Sequence, residues 1–332
     1  MSNAAGPVGS PSGRLGVVSP STAAAFTVAG ASAALLMVVR RTLPGWPRWL
    51  RSRAARMVLG VVALLALAVG ANECAGKPVV FLRWSFLRFV FALNHMGATW
   101  QVGDGREKAL ADYVCAHARP GDVDDAIRVI DDFCYHKKYL INIGDEKGQL
   151  LDDAVAAARP QRLLEVGTYC GYSALRIARA MPADARLYSI EFNAANAHIA
   201  HRIWDHAGVG ERIVVVVGTL GDDDKTIKAL REEHRFSPGC LDFLFLDHEK
   251  SEYLPDLHRI LQHRWLHPGS VVVADNVGYP GAPEYRNFMQ QHEGRDWLTR
   301  THRSHAEYQK LIPDTVLEST YLGQTTQPPH VD

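Results

Sequence analysis

From residue 160 to 274 the chain repeats one pattern, a short continuous apolar run followed by a stretch with helical spacing. The runs are RLLEV at 162–166, RLYSI at 186–190, IVVVV at 213–217, LDFLFL at 241–246 and SVVVA at 270–274. Helical stretches occupy 172–181, 194–207, 222–234 and 253–265 between them. A strand buried on both faces reads as an uninterrupted apolar run, and a helix is the usual crossover between parallel neighbours. The pattern therefore predicts an α/β fold with a parallel sheet covered by helices on both faces. Ligands of such sheets sit at the carboxyl ends of the strands, so the residues following each run carry the functional signal.

After the first run the chain reads EVGTYCGYS from Glu165 to Ser173. Gly167 and Gly171 bracket a tight strand-to-helix turn, where backbone can approach a ligand and the helix start offers free N–H groups. A tight turn without a ligand reads the same way. Glu191 closes the second run, 24 residues after Gly167. A carboxylate there suits a ribose with free hydroxyls, although a surface carboxylate is the alternative. The turn lacks GxGxxG and fits a nucleoside site better than a pyrophosphate site. Asp247 follows the fourth run, and Asp275 and Asn276 follow the fifth. Adjacent strand ends would bring these oxygen donors together, with room for water and a chelating substrate, as Mg²⁺ prefers. Either aspartate alone could be a helix cap. Lys250, three residues after Asp247, could act as a base beside a metal or be an ordinary lysine of the kind read at Lys138, Lys147 and Lys310.

The 332 residues carry no net charge, but the balance is split. Residues 1–100 hold ten Lys/Arg against Glu73 alone, a net of +9, leaving −9 for residues 101–332. The basic part coincides with apolar sequence, so it reads as membrane topology, and the acidic body argues against a nucleic-acid partner. Residues 1–20 and 324–332 read as disordered, and 21–95 as a membrane-anchoring region. Within it, 21–39 and 57–71 are candidate spans, and 79–93 is a candidate interfacial helix that contacts lipid. A cleaved signal peptide is the alternative for 21–39. The Arg cluster at 40–56 precedes the 57–71 run, which predicts a single-pass or two-pass protein with its catalytic domain lumenal or extracellular. A lone span at 21–39 would instead leave it cytosolic. The scattered Cys74, Cys115, Cys134, Cys170 and Cys240 show no zinc spacing. A globular domain from 100 to 323 opens with helical spacing over 105–118 and 123–139, carried by Leu110, Val114 and Cys115, then Ile127, Ile130, Phe133 and Cys134.

Eight stretches, taken together, resemble the catechol O-methyltransferases, the membrane-bound animal form in particular. They are NIGDEKG (142–148), LLEVGTYCGYS (163–173), SIE (189–191), VVG (216–218), FLDHEK (245–250), ADNV (274–277), PGAP (280–283) and AEY (306–308), in the family's order and spacing over residues 100–323. The resemblance implies a Rossmann-like class I methyltransferase with a seven-stranded, mostly parallel sheet. It implies S-adenosylmethionine and Mg²⁺ as cofactors, a small-molecule catechol as substrate and a monomeric catalytic domain. Asp247, Asp275 and Asn276 would hold the metal, Lys250 would be the general base, and Glu307 would hold the second hydroxyl, with Asn276 also meeting substrate. Tyr139 and Pro280 would flank the substrate ring. Ile143, Glu165, Gly167, Tyr169, Ser173, Glu191, Phe192, Gly218, Thr219, Asp247 and His248 would form the cofactor site.

This chain departs from the family at four positions. Glu249 and Tyr139 stand where the family has tryptophan, and Leu220-Gly221 replaces a Ser-Gln pair near the adenine. The first change puts a charge at the substrate gate, and the second removes an amide from adenine recognition. The implied chemistry is in-line methyl transfer to a catechol oxygen, the step that inactivates catecholamines. Two other functions remain in view: methylation of other vicinal-diol aromatics, and a membrane adaptor that keeps the fold without the reaction.

Overall fold

The computed structural model describes residues 53–74, 79–92, 95–96 and 99–323. The chain divides into two compact units, Met1–Ala75 and Gly76–Asp332. In the first, α1 (Arg53–Glu73) carries the 57–71 run, with Val58, Val61, Val62, Leu64 and Leu65 exposed. No helix among the described residues is long and apolar enough to cross a membrane. The span expected at 57–71 lies within α1 and finds no support there. The expected span at 21–39 and the tails at 1–20 and 324–332 lie outside the described residues.

The second unit is built on seven strands in the order β3-β2-β1-β4-β5-β7-β6. Strands β1 (Arg162–Val166), β2 (Arg186–Glu191), β3 (Ile213–Val217), β4 (Leu241–Leu246) and β5 (Leu266–Ala274) are parallel. Strands β6 (Trp297–His305) and β7 (Pro313–Tyr321) form an antiparallel hairpin joined to β5 through β7. Four strands begin and end within a residue of the predicted runs. The exception, β5, starts four residues earlier at Leu266, where its register against β4 shifts. The hairpin leaves no apolar run because its outer strand, WLTRTHRSH, is polar along both faces.

The helices are α2 (Trp84–Phe91), α3 (Arg106–His117), α4 (Val123–His136), α5 (Gly144–Ala158), α6 (Tyr172–Ala180), α7 (Ala194–His206), α8 (Lys225–Glu232), α9 (Tyr253–Gln262) and α10 (Pro283–Gln291). Alternate strand residues feed separate cores. Leu163, Leu187, Phe243, Phe245 and Val273 pack with residues of α3 to α7, and Leu164, Ile190, Leu244, Leu246 and Val272 pack with residues of α8 to α10. This alternation is the two-fold side-chain period of a strand, and it makes three layers from one sheet. Cys115, read as part of the apolar stripe of α3, is exposed.

The stretch expected to form an interfacial helix, 79–93, is described over 79–92. A 3₁₀ turn at Val80–Leu82 and helix α2 dock one face onto the sheet-bearing unit, with Val80, Arg83 and Ser85 buried. Arg83, read as a membrane-interface cation, is fully buried and donates to the Cys134 carbonyl at 2.6 Å. Arg106 bridges the Ser85 and Tyr139 carbonyls at 2.9 and 2.5 Å, and the Ser85 hydroxyl accepts from the Tyr139 N–H at 3.2 Å. Trp84, Val90 and Phe91 remain exposed.

Candidate active site

Strand order reverses between β1 and β4, the topological switch point where open α/β sheets bind ligands. Backbone hydrogen bonds tie the strand ends there. Gly167 N–H donates to the Ile190 carbonyl, Asp247 N–H to Val166 and Asp275 N–H to Leu246, each at 3.0 Å. Gly167 has φ 103°, and a Cβ at that position would lie 2.2 Å from the Asp247 carbonyl oxygen. Glycine is therefore required here to let the β1 turn close on the end of β4, independently of any ligand. A cavity of about 1000 Å³ opens over these ends.

On its β1–β2 side, Glu191 is buried and accepts from the Tyr169 N–H at 2.8 Å and the Asn193 N–H at 2.9 Å. Burial nevertheless holds its pKa above the ordinary carboxylate value. Asn193 in turn caps α7 by accepting from the Ala195 N–H. Ile143, Gly167, Tyr169, Ser173, Phe192, Gly218 and Thr219 line the same cavity. His248 also lines it, stacking on Tyr253 at 5.0 Å with Nε2 2.9 Å from Asp256. Gly221 replaces a side chain in front of Arg259: a Cβ there would lie 3.2 Å from that guanidinium.

Glu165 and Asp275 are fully buried and are not among the residues lining the cavity. Glu165 accepts from Ser173 at 2.5 Å and from Ser189, and burial pushes its pKa up to about 8. It supports Ser173 from behind the cavity wall.

Lys250 Nζ donates to Asp247 Oδ1 at 2.9 Å and to the Tyr253 hydroxyl at 2.8 Å. That hydroxyl also bonds the Leu246 and Asp275 carbonyls at 2.9 and 3.0 Å, locking Lys250 to the ends of β4 and β5. The Asn276 amide nitrogen donates to Glu307 at 3.1 Å and to Asp314 at 2.8 Å, so both its hydrogens are committed and only Oδ1 remains for a ligand. Tyr139, Pro280 and Glu307 also line the cavity.

Lys147, read as ordinary, is fully buried at the centre of this cluster. Its Nζ lies 2.9 Å from Asp275, 2.8 Å from Glu307 and 2.9 Å from Asp314. Burial disfavours its charge, but the three carboxylates hold its pKa well above the ordinary lysine value. Burial likewise works to raise Glu307, yet Lys147 and the bonds from Lys147 and Asn276 keep it below its usual range. Asp275 is raised by burial despite Lys147, whose ammonium lies against its Oδ2. Asp314 escaped the sequence reading too. It opens β7, beyond the strands that were legible, and its other oxygen accepts from the Tyr279 N–H at 2.9 Å. Lys147 carries one signal in the sequence, its place within the NIGDEKG stretch that precedes a charged site.

Among the described residues no group of three His, Cys, Asp or Glu side chains could hold a metal ion. A cation at this site would rest on the Asp247 and Asp275 carboxylates and the Asn276 amide. That donor set suits a hard divalent ion that keeps part of its water. Four carboxylates, Asp247, Asp275, Glu307 and Asp314, here share two lysines, Lys147 and Lys250.

A family model described as O-methyltransferase matches residues 125–294. The chain is 58% identical over 231 residues to a Mycobacterium tuberculosis protein named "Probable O-methyltransferase Rv1703c", covering 70% of this chain and 98% of that one. It is 39% identical over 218 residues to catechol O-methyltransferase B of Danio rerio, covering 66% of this chain and 80% of the relative. It is 34% identical over 217 residues to the transmembrane O-methyltransferase homolog of Mus musculus, covering 65% and 82%. With the matched segment covering more than half of the chain, the protein belongs to the O-methyltransferase family.

Proposed function

We propose that this S-adenosylmethionine-dependent O-methyltransferase methylates one hydroxyl of a catechol with the help of a divalent cation, Mg²⁺. The observation that carries the reading is the placement of Asp247, Asn276, Lys250 and Glu307 in the lining of the switch-point cavity, with Asp275 fully buried beside Asn276 and paired with Lys147. Glu191 accepts the ribose hydroxyls, while Phe192 and His248 offer ring faces to the adenine. Arg259 stands beside Gly221, where the family carries an amide. Asp247, Asp275 and Asn276 would hold the cation, which would supply positive charge that acidifies vicinal hydroxyls.

Lys250, once it has given up a proton to solvent and regained its lone pair, receives the proton of the attacking hydroxyl at Nζ. The oxygen forms a bond to the sulfonium methyl as the carbon–sulfur bond breaks, and its electron pair stays on sulfur to give the thioether. Glu307 accepts the hydrogen bond of the second hydroxyl, which disfavours phenols that lack one. Holding oxygen, carbon and sulfur in line at about 3–3.5 Å for the attacking pair is the main source of acceleration.

The test uses the full chain with labelled S-adenosylmethionine and dopamine, with Mg²⁺ or with chelator, beside thermal melting in the same buffers. The expected results are chelator-sensitive turnover and a rise in melting temperature on adding Mg²⁺ that Asp275→Asn removes. Lys250→Met is expected to lower the rate about 10²–10⁴-fold while cofactor affinity in equilibrium dialysis stays within about two-fold. Turnover that ignores chelator, together with melting that ignores Mg²⁺, would refute the cation.

A further inference from the structure

We infer that the acceptor carries an extended apolar substituent, and that residues 80–90, upstream of the segment matched by the family model, form the subsite that holds it. The inference rests on the catechol reading above. The cavity lies at the top of the roughly 300–1,000 Å³ range of small-molecule sites. Its polar groups are gathered on the strand ends. Its opposite reach is lined by Val80, Phe81, Phe86, Phe89 and Val90.

Tyr139 joins the two regions. Its hydroxyl has the Glu307 carboxylate beside it, which, after burial, holds the phenol's pKa high. Its ring meets Phe86 at 5.2 Å and Phe89 at 5.3 Å, both edge-on, and Phe86 meets Phe81 at 5.0 Å. A continuous aromatic surface thus leads from the carboxylate expected to hold the second hydroxyl to the far wall. Polar bonds fix that wall in place, since Ser85 is bonded at its hydroxyl to the Tyr139 N–H and at its carbonyl to Arg106. A bare catechol reaches Tyr139 and leaves the cavity-facing surface of the remaining rings uncovered. A chain or second ring on the catechol would cover them and remove that apolar area from water. The charge at Glu249 on the cavity rim leaves the aromatic path as the apolar way outward.

The test is a 4-alkylcatechol series from methyl to octyl, measured on the full chain as affinity by calorimetry and as turnover. Affinity should rise about four-fold per methylene until the wall is covered, the factor expected for burying a CH₂ group. The double variant Phe86→Ala/Phe89→Ala should flatten the octyl-to-methyl affinity ratio. Phe86→Leu, which restores apolar bulk, should recover most of it, and unchanged far-ultraviolet dichroism shows that each variant has folded. A flat affinity series in the wild type, with turnover intact, overturns the subsite and leaves the reaction standing. So does a ratio that the double variant does not change. Affinity that rises with chain length, is lost in the double variant and is accompanied by no methylation of any member overturns the catechol reaction while supporting the apolar subsite.

Discussion

Replacing Lys147 with methionine removes the cation shared by Asp275, Glu307 and Asp314, of which Asp275 and Asp314 are buried and Glu307 only edges the cavity. Methionine keeps much of the volume, so the packing loss is small and the electrostatic loss dominates. Breaking one buried pair by deleting a partner costs about 3–5 kcal/mol, because the remaining charge stays buried without compensation. In a unit of this size 1 kcal/mol moves the melting temperature by about 2–4 °C, so Lys147→Met is expected to melt roughly 6–20 °C below the wild type near pH 7.5. The pH dependence separates this cause from packing. In the wild type Glu307 sits below its ordinary pKa, so it contributes stability that is present above the unfolded value and lost as pH falls. In the variant the buried carboxylates lose Lys147 and bind protons more tightly than in the unfolded chain. Its deficit should therefore narrow as pH falls from about 8 to about 5. Differential scanning calorimetry across that range is the assay. A melting temperature within about 2 °C of the wild type, or a large deficit that does not change with pH, would refute the reasoning.

Glu191→Ala should weaken S-adenosylmethionine binding by about ten-fold or more, since a charge-assisted bond is worth about 1.5–3 kcal/mol; equilibrium dialysis reads it, and unchanged affinity removes Glu191 from the ribose site. Burial pushes the pKa of Asp131 up to about 6, so its folded form holds a proton longer than the unfolded chain does, and it costs stability as pH rises from about 4 through 6. Asp131→Asn keeps an oxygen for the Tyr172 and Tyr308 hydroxyls that Asp131 accepts at 2.7 and 3.1 Å, so it should flatten that part of the stability–pH curve; a slope that persists in calorimetry counts against the assignment. Glu165 rises to about 8, so it is largely protonated at pH 7, and Glu165→Gln should melt close to the wild type. Glu165→Ala should lose about 1–3 kcal/mol by leaving Ser173 and Ser189 without their acceptor, and equal melting temperatures for the two variants would contradict this.

The parallel half of the sheet was legible because each of its strands is buried on both faces and announces itself as an apolar run. Helix α5 was not: Gly144 and Gly148 interrupt its apolar spacing, and Gly148 is there because a Cβ would press on the Arg176 side chain at 2.6 Å. The hairpin of β6 and β7 was not legible either, because a polar outer strand carries no alternation. Asp314 went unnoticed with it.

The sequence by itself determined the sheet's parallel core, the switch point and the residues that emerge there: Glu191, Asp247, Lys250, Asp275 and Asn276. Each follows an apolar run at fixed distance, and a strand end is a local property. Tertiary structure alone decided the rest. It buried Lys147 among three carboxylates drawn from a strand end, a late loop and the last strand. It placed Glu165 behind the cavity wall and turned an apolar stretch with two arginines into one side of the cavity. Lys147 and Arg83 look like solvent-facing cations in sequence, because what makes either one buried and paired is the packing of segments far apart in the chain.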